Sequence, residues 1–138
     1  MAANKEPIFI GSISGKITEF SDQTETDIFI GDTVESTRVD VLAVSTDDTA
    51  DKDLTILFHD GTASKKATTV KIPLSSGITN AIAPVNLITH AQMAPHVCTD
   101  AAGNKFINLP PGWKIRAQVA AAPTGGKKMW VFARGGKY

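Results

Sequence analysis

The sequence is poor in cysteine and lacks any long apolar run. Cys98 is the only thiol in 138 residues, so an intrachain disulfide is impossible, and folding in a reducing cytoplasm fits best. A lone cysteine is usually a small core residue, which is what we expect of Cys98. No segment reaches the ~20 apolar residues that span a bilayer, and none follows Met1 as the apolar part of a secretory leader. We therefore expect neither a signal peptide nor a membrane span.

Net charge is also missing, because 14 Lys and Arg balance 14 Asp and Glu. Neutrality argues against a nucleic-acid binder, since that affinity depends on clustered positive charge. The balance conceals a segregation along the chain: residues 1–60 carry a net −9 and residues 61–138 a net +9. If folding leaves the two signs on separate faces, these faces become docking surfaces. If folding mixes the signs, the chain is neutral in practice as well.

Alternation of apolar and polar residues is the dominant pattern. In 113–120 the apolar residues Trp113, Ile115, Ala117 and Val119 share one face, which predicts a half-buried antiparallel strand. A second strand at 54–59 has its own inner row, Leu54, Ile56 and Phe58. The Asp-Gly pair at 60–61 predicts a hairpin to 67–73, with either a longer loop at 62–66 or an earlier start of the second strand.

Further strands are expected where Ile, Val, Phe and Thr concentrate, at 7–13, 16–20, 27–30, 38–45, 105–109 and 128–134. One short helix is expected within 84–93, opened by Pro84 and closed before Pro95. The chain is therefore predicted to be all-β, an antiparallel β-sandwich or jelly-roll-like single domain with at most one short helix. We divide it into an N-terminal arm, 1–10, and a β-sandwich domain, 11–138.

No catalytic, metal-binding or cofactor-binding motif is complete. The histidines lack the spacing of a zinc site. His96 and Cys98 are two residues apart in the sequence, but a zinc site needs about four ligands at recognisable spacing. We therefore expect the histidines on the surface or in loops. The acidic run 47–53 has no glycine and no distal glutamate, so a solvated loop is expected rather than a calcium site. The GGKK at 125–128 precedes a strand, which favours a hairpin turn over a phosphate loop. We expect no enzyme.

The two tryptophans allow a different function. An exposed aromatic platform would suit a carbohydrate-binding module, although Trp113 shares the inner row of its strand and is expected in the core. Trp130 and Phe132 lie on one face of the last strand, while Met129, Val131 and Ala133 lie on the other. A strand that is apolar on both faces is usually central in a sandwich or covered by a neighbouring subunit.

Several segments carry a family resemblance, namely PIF at 7–9, APVNLI at 83–88, TDAAGNK at 99–105, LPPGWKI at 109–115 and WVFARGGKY at 130–138. Together they resemble small virion proteins of tailed bacteriophages, of the capsid decoration or cement type, which often end in Gly-Gly-x-aromatic. Lys137 stands where that group often has Asp. The resemblance covers the second half of the chain better than the first.

The resemblance implies a structural protein that binds the outside of a phage head and stabilises the shell. Its partner would be the major capsid protein, and it would form a homo-oligomer, commonly a trimer. It would be assembled in the host cytoplasm and would lie on the capsid exterior. Opposite charges would steer such docking. The interface candidates are Ile8, Phe9, Ile10, Trp130, Phe132, Arg134 and Tyr138.

Two alternatives to decoration stay open. One is a head–tail connector, tail or fibre-associated β-sandwich protein, and the other is the carbohydrate-binding module. The arm 1–10 is predicted either to add a strand to a partner's sheet edge or to form an ordinary first strand of its own sandwich.

Overall fold

The structure is a computed structural model that describes residues 12–137. Ten strands and one 3₁₀ helix follow each other along that range. They are β1 (Ser12–Phe20), β2 (Thr26–Ile30), β3 (Thr37–Thr46), β4 (Lys52–His59), β5 (Ser64–Ile72), β6 (Val85–Asn86), the 3₁₀ helix (Ala91–His96), β7 (Cys98–Thr99), β8 (Lys105–Leu109), β9 (Lys114–Val119) and β10 (Met129–Lys137). The arm 1–10 and the terminal Tyr138 lie outside the described residues.

The strands form two antiparallel sheets. The first sheet has the order β1-β10-β3-β8-β7, with β6 beside β3, and the second has the order β2-β9-β4-β5. Apart from the β4–β5 hairpin, consecutive long strands lie in opposite sheets, so the chain crosses repeatedly between the layers. This is the connectivity of a jelly roll, in which Greek keys link two facing sheets. The predicted fold class is confirmed.

The core lies between the inner faces of the two sheets. Along β9, Ile115, Ala117 and Val119 are buried and the residues between them are half-buried, so the predicted alternation is confirmed. Leu54 and Ile56 of β4 are fully buried as well. The second strand of the hairpin, β5, starts at Ser64, so residues 60–63 form the turn. Of the two predicted alternatives, the earlier start of the second strand is therefore correct.

Two local predictions were wrong in the same part of the chain. The segment 84–93 holds no α-helix; Val85 and Asn86 pair with β3 instead, and the 3₁₀ helix follows with Pro95 inside it. This helix is capped by His90 and buries Met93. Cys98 is exposed rather than in the core, because it lies in the two-residue strand β7 at the end of the first sheet.

Two further predictions also change. The strand expected at 16–20 begins earlier, because β1 runs without interruption from Ser12 to Phe20. Of the strand expected at 7–13, only residues 12 and 13 fall in the described range, and they belong to β1. The GGKK turn precedes a strand as expected. It is not a hairpin, however, because β9 and β10 belong to different sheets.

A β-bulge fixes the close approach of β3 and β10. Arg134 pairs with Val41 and Gly135 with Val39, so Asp40 is the extra residue on β3. A Cβ atom at Gly135 would collide with the backbone carbonyl oxygen of Arg38 and approach Cα of Val39. Only glycine fits here without moving one of the strands.

Replacing this glycine should therefore be costly. We expect Gly135→Ala to lower the free energy of unfolding by about 1–3 kcal/mol, because the added methyl group overpacks the strand pair. Urea denaturation measures this change. Gly15→Ala on the neighbouring strand is the matched control, since its Cβ would lie 3.7 Å from the nearest atom, the oxygen of Ala133. Equal effects of the two substitutions would contradict the role of the bulge.

Candidate interaction surface

The last strand presents apolar side chains on both of its faces. Met129, Val131 and Ala133 are fully buried in the core, whereas Trp130 is half-buried and Phe132 keeps 38% of its surface exposed. β10 lies between β1 and β3, so it is an internal strand of its sheet. Phe132 on its outer face is nevertheless exposed, which makes this face a candidate interaction surface.

The strand register extends the apolar character to the neighbouring strands. Ile17 of β1 lies opposite Phe132, and Phe132 lies opposite Ala43 of β3, so three apolar side chains form one row. Ile13 and Ile17 point outwards with 72% and 67% of their surface exposed. We call the group Ile13, Ile17, Trp130 and Phe132 the outer patch. Contiguous exposed apolar groups of this kind mark interaction sites more often than scattered ones do.

One acidic and one basic side chain share the sheet face of the outer patch. The indole Nε1 of Trp130 donates a hydrogen bond to Oε1 of Glu19 at 3.2 Å. Arg134 lies opposite Gly15 and Val41, is exposed, and has no ion pair within residues 12–137. Arg134 therefore lies between Ile13 and the apolar row of Ile17 and Phe132, and Glu19 lies beside Trp130.

From the first residues of β3 to β8 the same sheet face carries charged side chains that form ion pairs with each other. The guanidinium of Arg38 contacts Asp40 at 2.6 Å and Asp100 at 3.0 Å, and it stacks over the ring of Phe106 at 4.1 Å. The hydrogen bond to Asp40 is the main cause that raises the pKa of Arg38, and Asp100 adds to the shift. This cluster is satisfied internally, so it limits the outer patch to the β1–β10 side of the sheet.

The structure places three of the interface candidates together. Trp130, Phe132 and Arg134 alternate along β10 and share its outer face. The other candidates, Ile8, Phe9, Ile10 and Tyr138, lie outside the described residues. Sequence reasoning missed Ile13 and Ile17. The spacing Ile13-x-Gly15-x-Ile17 was the available signal, but its face could be assigned only by knowing that β1 pairs with β10.

The two charged halves of the chain are mixed by the fold. Bases of the second half contact acids of the first in the pairs Lys65–Asp60, Lys71–Asp51, Lys114–Asp27, Arg116–Glu25, Arg116–Asp27 and Lys137–Asp32. The reason is topological, since β9 lies between β2 and β4 and β10 lies between β1 and β3. The segregation seen along the chain therefore does not produce one acidic and one basic face.

Arg116 is the centre of the closest of these contacts. Its Nε donates to Oδ1 of Asp27 at 2.5 Å, and its NH1 lies 3.3 Å from both Glu25 and the Ser64 hydroxyl. The bond to Asp27 raises the pKa of Arg116. Burial works to raise the pKa of Asp27, but Arg116 and Lys114 outweigh it and the pKa is lowered. These pairs hold β2 to β9.

The acidic run 47–53 connects β3 to β4, and one of its acids is buried. Asp48 is fully buried, and its carboxylate accepts hydrogen bonds from the backbone and hydroxyl of Thr124 at 2.9 and 2.7 Å and from the Ala50 amide at 3.0 Å. Asp47 accepts from the Lys128 amide at 2.8 Å. The loop after β3 is thereby fixed to the segment before β10, and the expectation of a solvated loop is wrong for Asp48.

The histidines also have local structural roles. Nδ1 of His59 accepts from the Gly61 amide, Nδ1 of His90 caps the 3₁₀ helix, and His96 packs against the ring of Phe58. Within residues 12–137 no three His, Cys, Asp or Glu side chains cluster as metal ligands would. In the same range no helix is long and apolar enough to span a membrane.

A surface cleft of about 240 Å³ lies between the ends of the sheets and is lined by Ser14, Ile30, Gly31, Asp32, Thr37, Gly136 and Lys137. Its only acid, Asp32, accepts from the amides of Val34 and Glu35 and pairs with Lys137 at 3.7 Å. The two amide hydrogen bonds are the main causes that lower the pKa of Asp32. Such a carboxylate is held in its charged form and is poorly suited to general acid catalysis.

Comparison with known proteins adds no family to this description. No protein-family model matches the chain, and a search of the curated proteins finds no match either.

The buried carboxylate of Asp48 leads to a test that depends on pH. Burial alone would raise its pKa, but the hydrogen bonds from Thr124 and Ala50 outweigh burial, so the pKa is lowered. A lowered pKa means that the charged form stabilises the fold above about pH 4, the range of an unfolded aspartate, and that this stability is lost as the pH falls through the folded value. We expect Asp48→Asn to lower the free energy of unfolding at pH 7 by about 1–3 kcal/mol.

Urea denaturation of both proteins at pH 7 and near pH 3 measures the difference. The gap between wild type and variant should shrink at the lower pH, because there the unfolded chain binds a proton at Asp48 more readily than the folded protein does. Asp53→Asn is the matched control, because Asp53 belongs to the same acidic run and is exposed. A gap that stays constant with pH would contradict the assignment.

Proposed function

We propose that the chain is a structural virion protein, a decoration or cement protein that binds the outside of a tailed-phage capsid. The observation that carries the proposal is the outer patch on a jelly-roll sandwich. A cement protein needs surfaces that join neighbouring subunits and requires no catalytic pocket. The patch offers such a surface: Ile13, Ile17 and Phe132 are exposed on one sheet face.

The chemistry of the remaining surface supports binding through this patch. Several charged side chains of the strands are paired within the chain, as Arg116 is with Glu25 and Asp27, and the outer patch itself is mainly apolar, so we expect apolar contact to supply most of the affinity. Jelly rolls also occur in viral capsid and lectin domains, which makes the fold compatible with the role without demonstrating it. The terminal segment WVFARGGKY, which carries the resemblance to decoration proteins, contains two members of the patch, Trp130 and Phe132.

The partner in this proposal is the major capsid protein, and the protein acts as a homo-oligomer on the capsid exterior. A head–tail connector, tail or fibre role would use the same surface at few positions in the particle. Counting copies separates the two roles, because decoration requires hundreds of copies per head and a connector only a handful.

Capsid binding is the direct test. Purified protein should bind mature, expanded capsids of the same phage that lack it, and it should raise the temperature at which these particles rupture. Phe132→Asp should weaken binding by about tenfold or more, since it places a charge in the centre of the apolar contact. Cosedimentation and particle thermal denaturation give the two readouts.

The matched control is Ile78→Asp, which alters a loop residue that is 52% exposed and lies far from the patch in sequence. The control should bind as wild type does. Failure of the wild-type protein to bind at both low and moderate salt would reject the decoration role. Normal binding by Phe132→Asp would place the shell contact elsewhere on the molecule.

Carbohydrate binding is the second candidate, and Trp130 is the observation that favours it. Its indole lies on the same outward face as Phe132, beside the carboxylate of Glu19, as in an aromatic platform with a polar neighbour. Trp113 does not contribute, because it packs against the core and the ring of Phe58. A glycan array probed with wild type and Trp130→Ala distinguishes this function from capsid binding.

A further inference from the structure

The strand β1 ends one side of the first sheet. It pairs with β10 along its whole length, from Ser12 opposite Lys137 to Phe20 opposite Met129, with no shift in register. Its other side has no neighbouring strand within residues 12–137. The strand holds no proline and no bulge, so it offers a long, regular row of backbone donors and acceptors. Such an edge is a template for pairing with another strand.

The side chains of β1 do not block pairing at this edge. Lysines commonly protect sheet edges, but the ammonium of Lys16 donates to the backbone oxygen of Asp27 at 2.9 Å. The side chain is thereby directed towards the second sheet. Ile13 and Ile17 point to the outer face and are largely exposed. The edge therefore combines free backbone groups with apolar side chains.

We propose that β1 pairs antiparallel with β1 of a second copy of this chain, about a two-fold axis at Ile17. In this register Ile17 lies opposite the partner's Ile17. Glu19 lies opposite the partner's Gly15, and Lys16 lies opposite the partner's Thr18. The two first sheets then become one continuous sheet. The resemblance to decoration proteins implies a trimer, whereas this edge is self-complementary about a two-fold axis.

Apolar continuity supports this register. Within one copy Ala43, Phe132 and Ile17 already form a row across three strands. The two-fold axis joins this row to its equivalent in the partner, so that Ile17 gains an apolar neighbour on the side that is open in the single chain. Directly opposite side chains on one sheet face have Cβ atoms about 4.5–5.5 Å apart, which is contact distance for two isoleucines.

Charge complementarity supports the register independently. Gly15 has no side chain, and within each copy it lies opposite Arg134 of β10. Glu19 can therefore reach across the partner's Gly15 towards the partner's Arg134, two strand spacings or roughly 10 Å away. One carboxylate oxygen of Glu19 accepts from Trp130, which leaves Oε2 for this contact. Symmetry makes the contact twice.

Registers with the axis one residue away are worse. An axis at Lys16 would place two ammonium-bearing side chains directly opposite each other, and like charges in that position are destabilising. An axis at Thr18 would place Ile17 opposite the partner's Glu19 and lose the apolar row.

Disulfide trapping tests the register. The exposed Cys98 is first replaced in a Cys98→Ser background so that it cannot react. Ile17→Cys in this background should form a covalent dimer under mild oxidation, because the distance across the axis fits a disulfide. Ile13→Cys is the matched control on the same strand and face. The two copies of residue 13 would be roughly 27 Å apart, so no cross-link should form.

Sedimentation equilibrium of the full chain tests the energetics. We expect a dimer whose dissociation constant rises about tenfold or more in Ile17→Lys, whereas Ile78→Lys leaves it unchanged. Glu19→Arg and Arg134→Glu should each weaken the dimer. The double variant should restore it, because the ion pair is then reversed.

Several results would overturn the proposal. A monomer at all concentrations would do so, as would a trimer in which Ile17→Cys does not cross-link. Equal cross-linking of Ile13→Cys and Ile17→Cys would reject the register. Association that survives Ile17→Lys but disappears on removal of residues 2–10 would assign the contact to the arm. All these measurements are made in solution without capsids. The dimer can therefore be rejected while capsid binding is confirmed, and capsid binding can be rejected while the dimer is confirmed.

Discussion

The pairing of β10 between β1 and β3 is the contact on which the rest of the structure depends. It joins the last strand of the described chain to the first and third strands, and the bulge opposite Gly135 determines how closely β10 and β3 approach. Because β10 lies between two strands of the acidic half, the first sheet combines residues from both halves of the sequence. The same pairing leaves β1 at the edge and turns Trp130 and Phe132 outwards. Mixed charges, the open edge and the outer patch are thus consequences of one arrangement.

Local pattern was sufficient for most of the long strands and insufficient for the surface. Strand β8 has the predicted bounds, 105–109, and β9 has the predicted inner row, because alternation records which side of a strand is buried. Alternation cannot tell which sheet a strand joins. Ile13 and Ile17 became part of a candidate surface only when the register placed them beside Gly136 and Phe132. The predicted hairpin at GGKK was wrong for the same reason, since the two strands that it connects lie in different layers.

The remaining errors came from tertiary pairing that overrides local preference. Segment 84–93 begins with proline, which suits the first turn of a helix, yet Val85 and Asn86 form hydrogen bonds with β3 instead. Cys98 is exposed because β7 is a two-residue strand at the end of the first sheet. Asp48 looked like one of several exposed acids. Its burial depends on Thr124, 76 residues away, and no local signal indicates that contact.

The small area of the outer patch is the reason why pairing at the edge strand β1 would matter for binding. A standard protein interface buries roughly 800 Å² on each partner, and a patch of four side chains, two of them aromatic and partly buried, falls short of that area. A single copy would therefore bind a shell weakly through this patch. Pairing at β1 would place two patches on one continuous sheet face, and a two-point attachment gains affinity through effective concentration without any new kind of contact. An edge that pairs and a face that binds would then be two parts of one mechanism for attaching a small neutral protein to a large repeating surface.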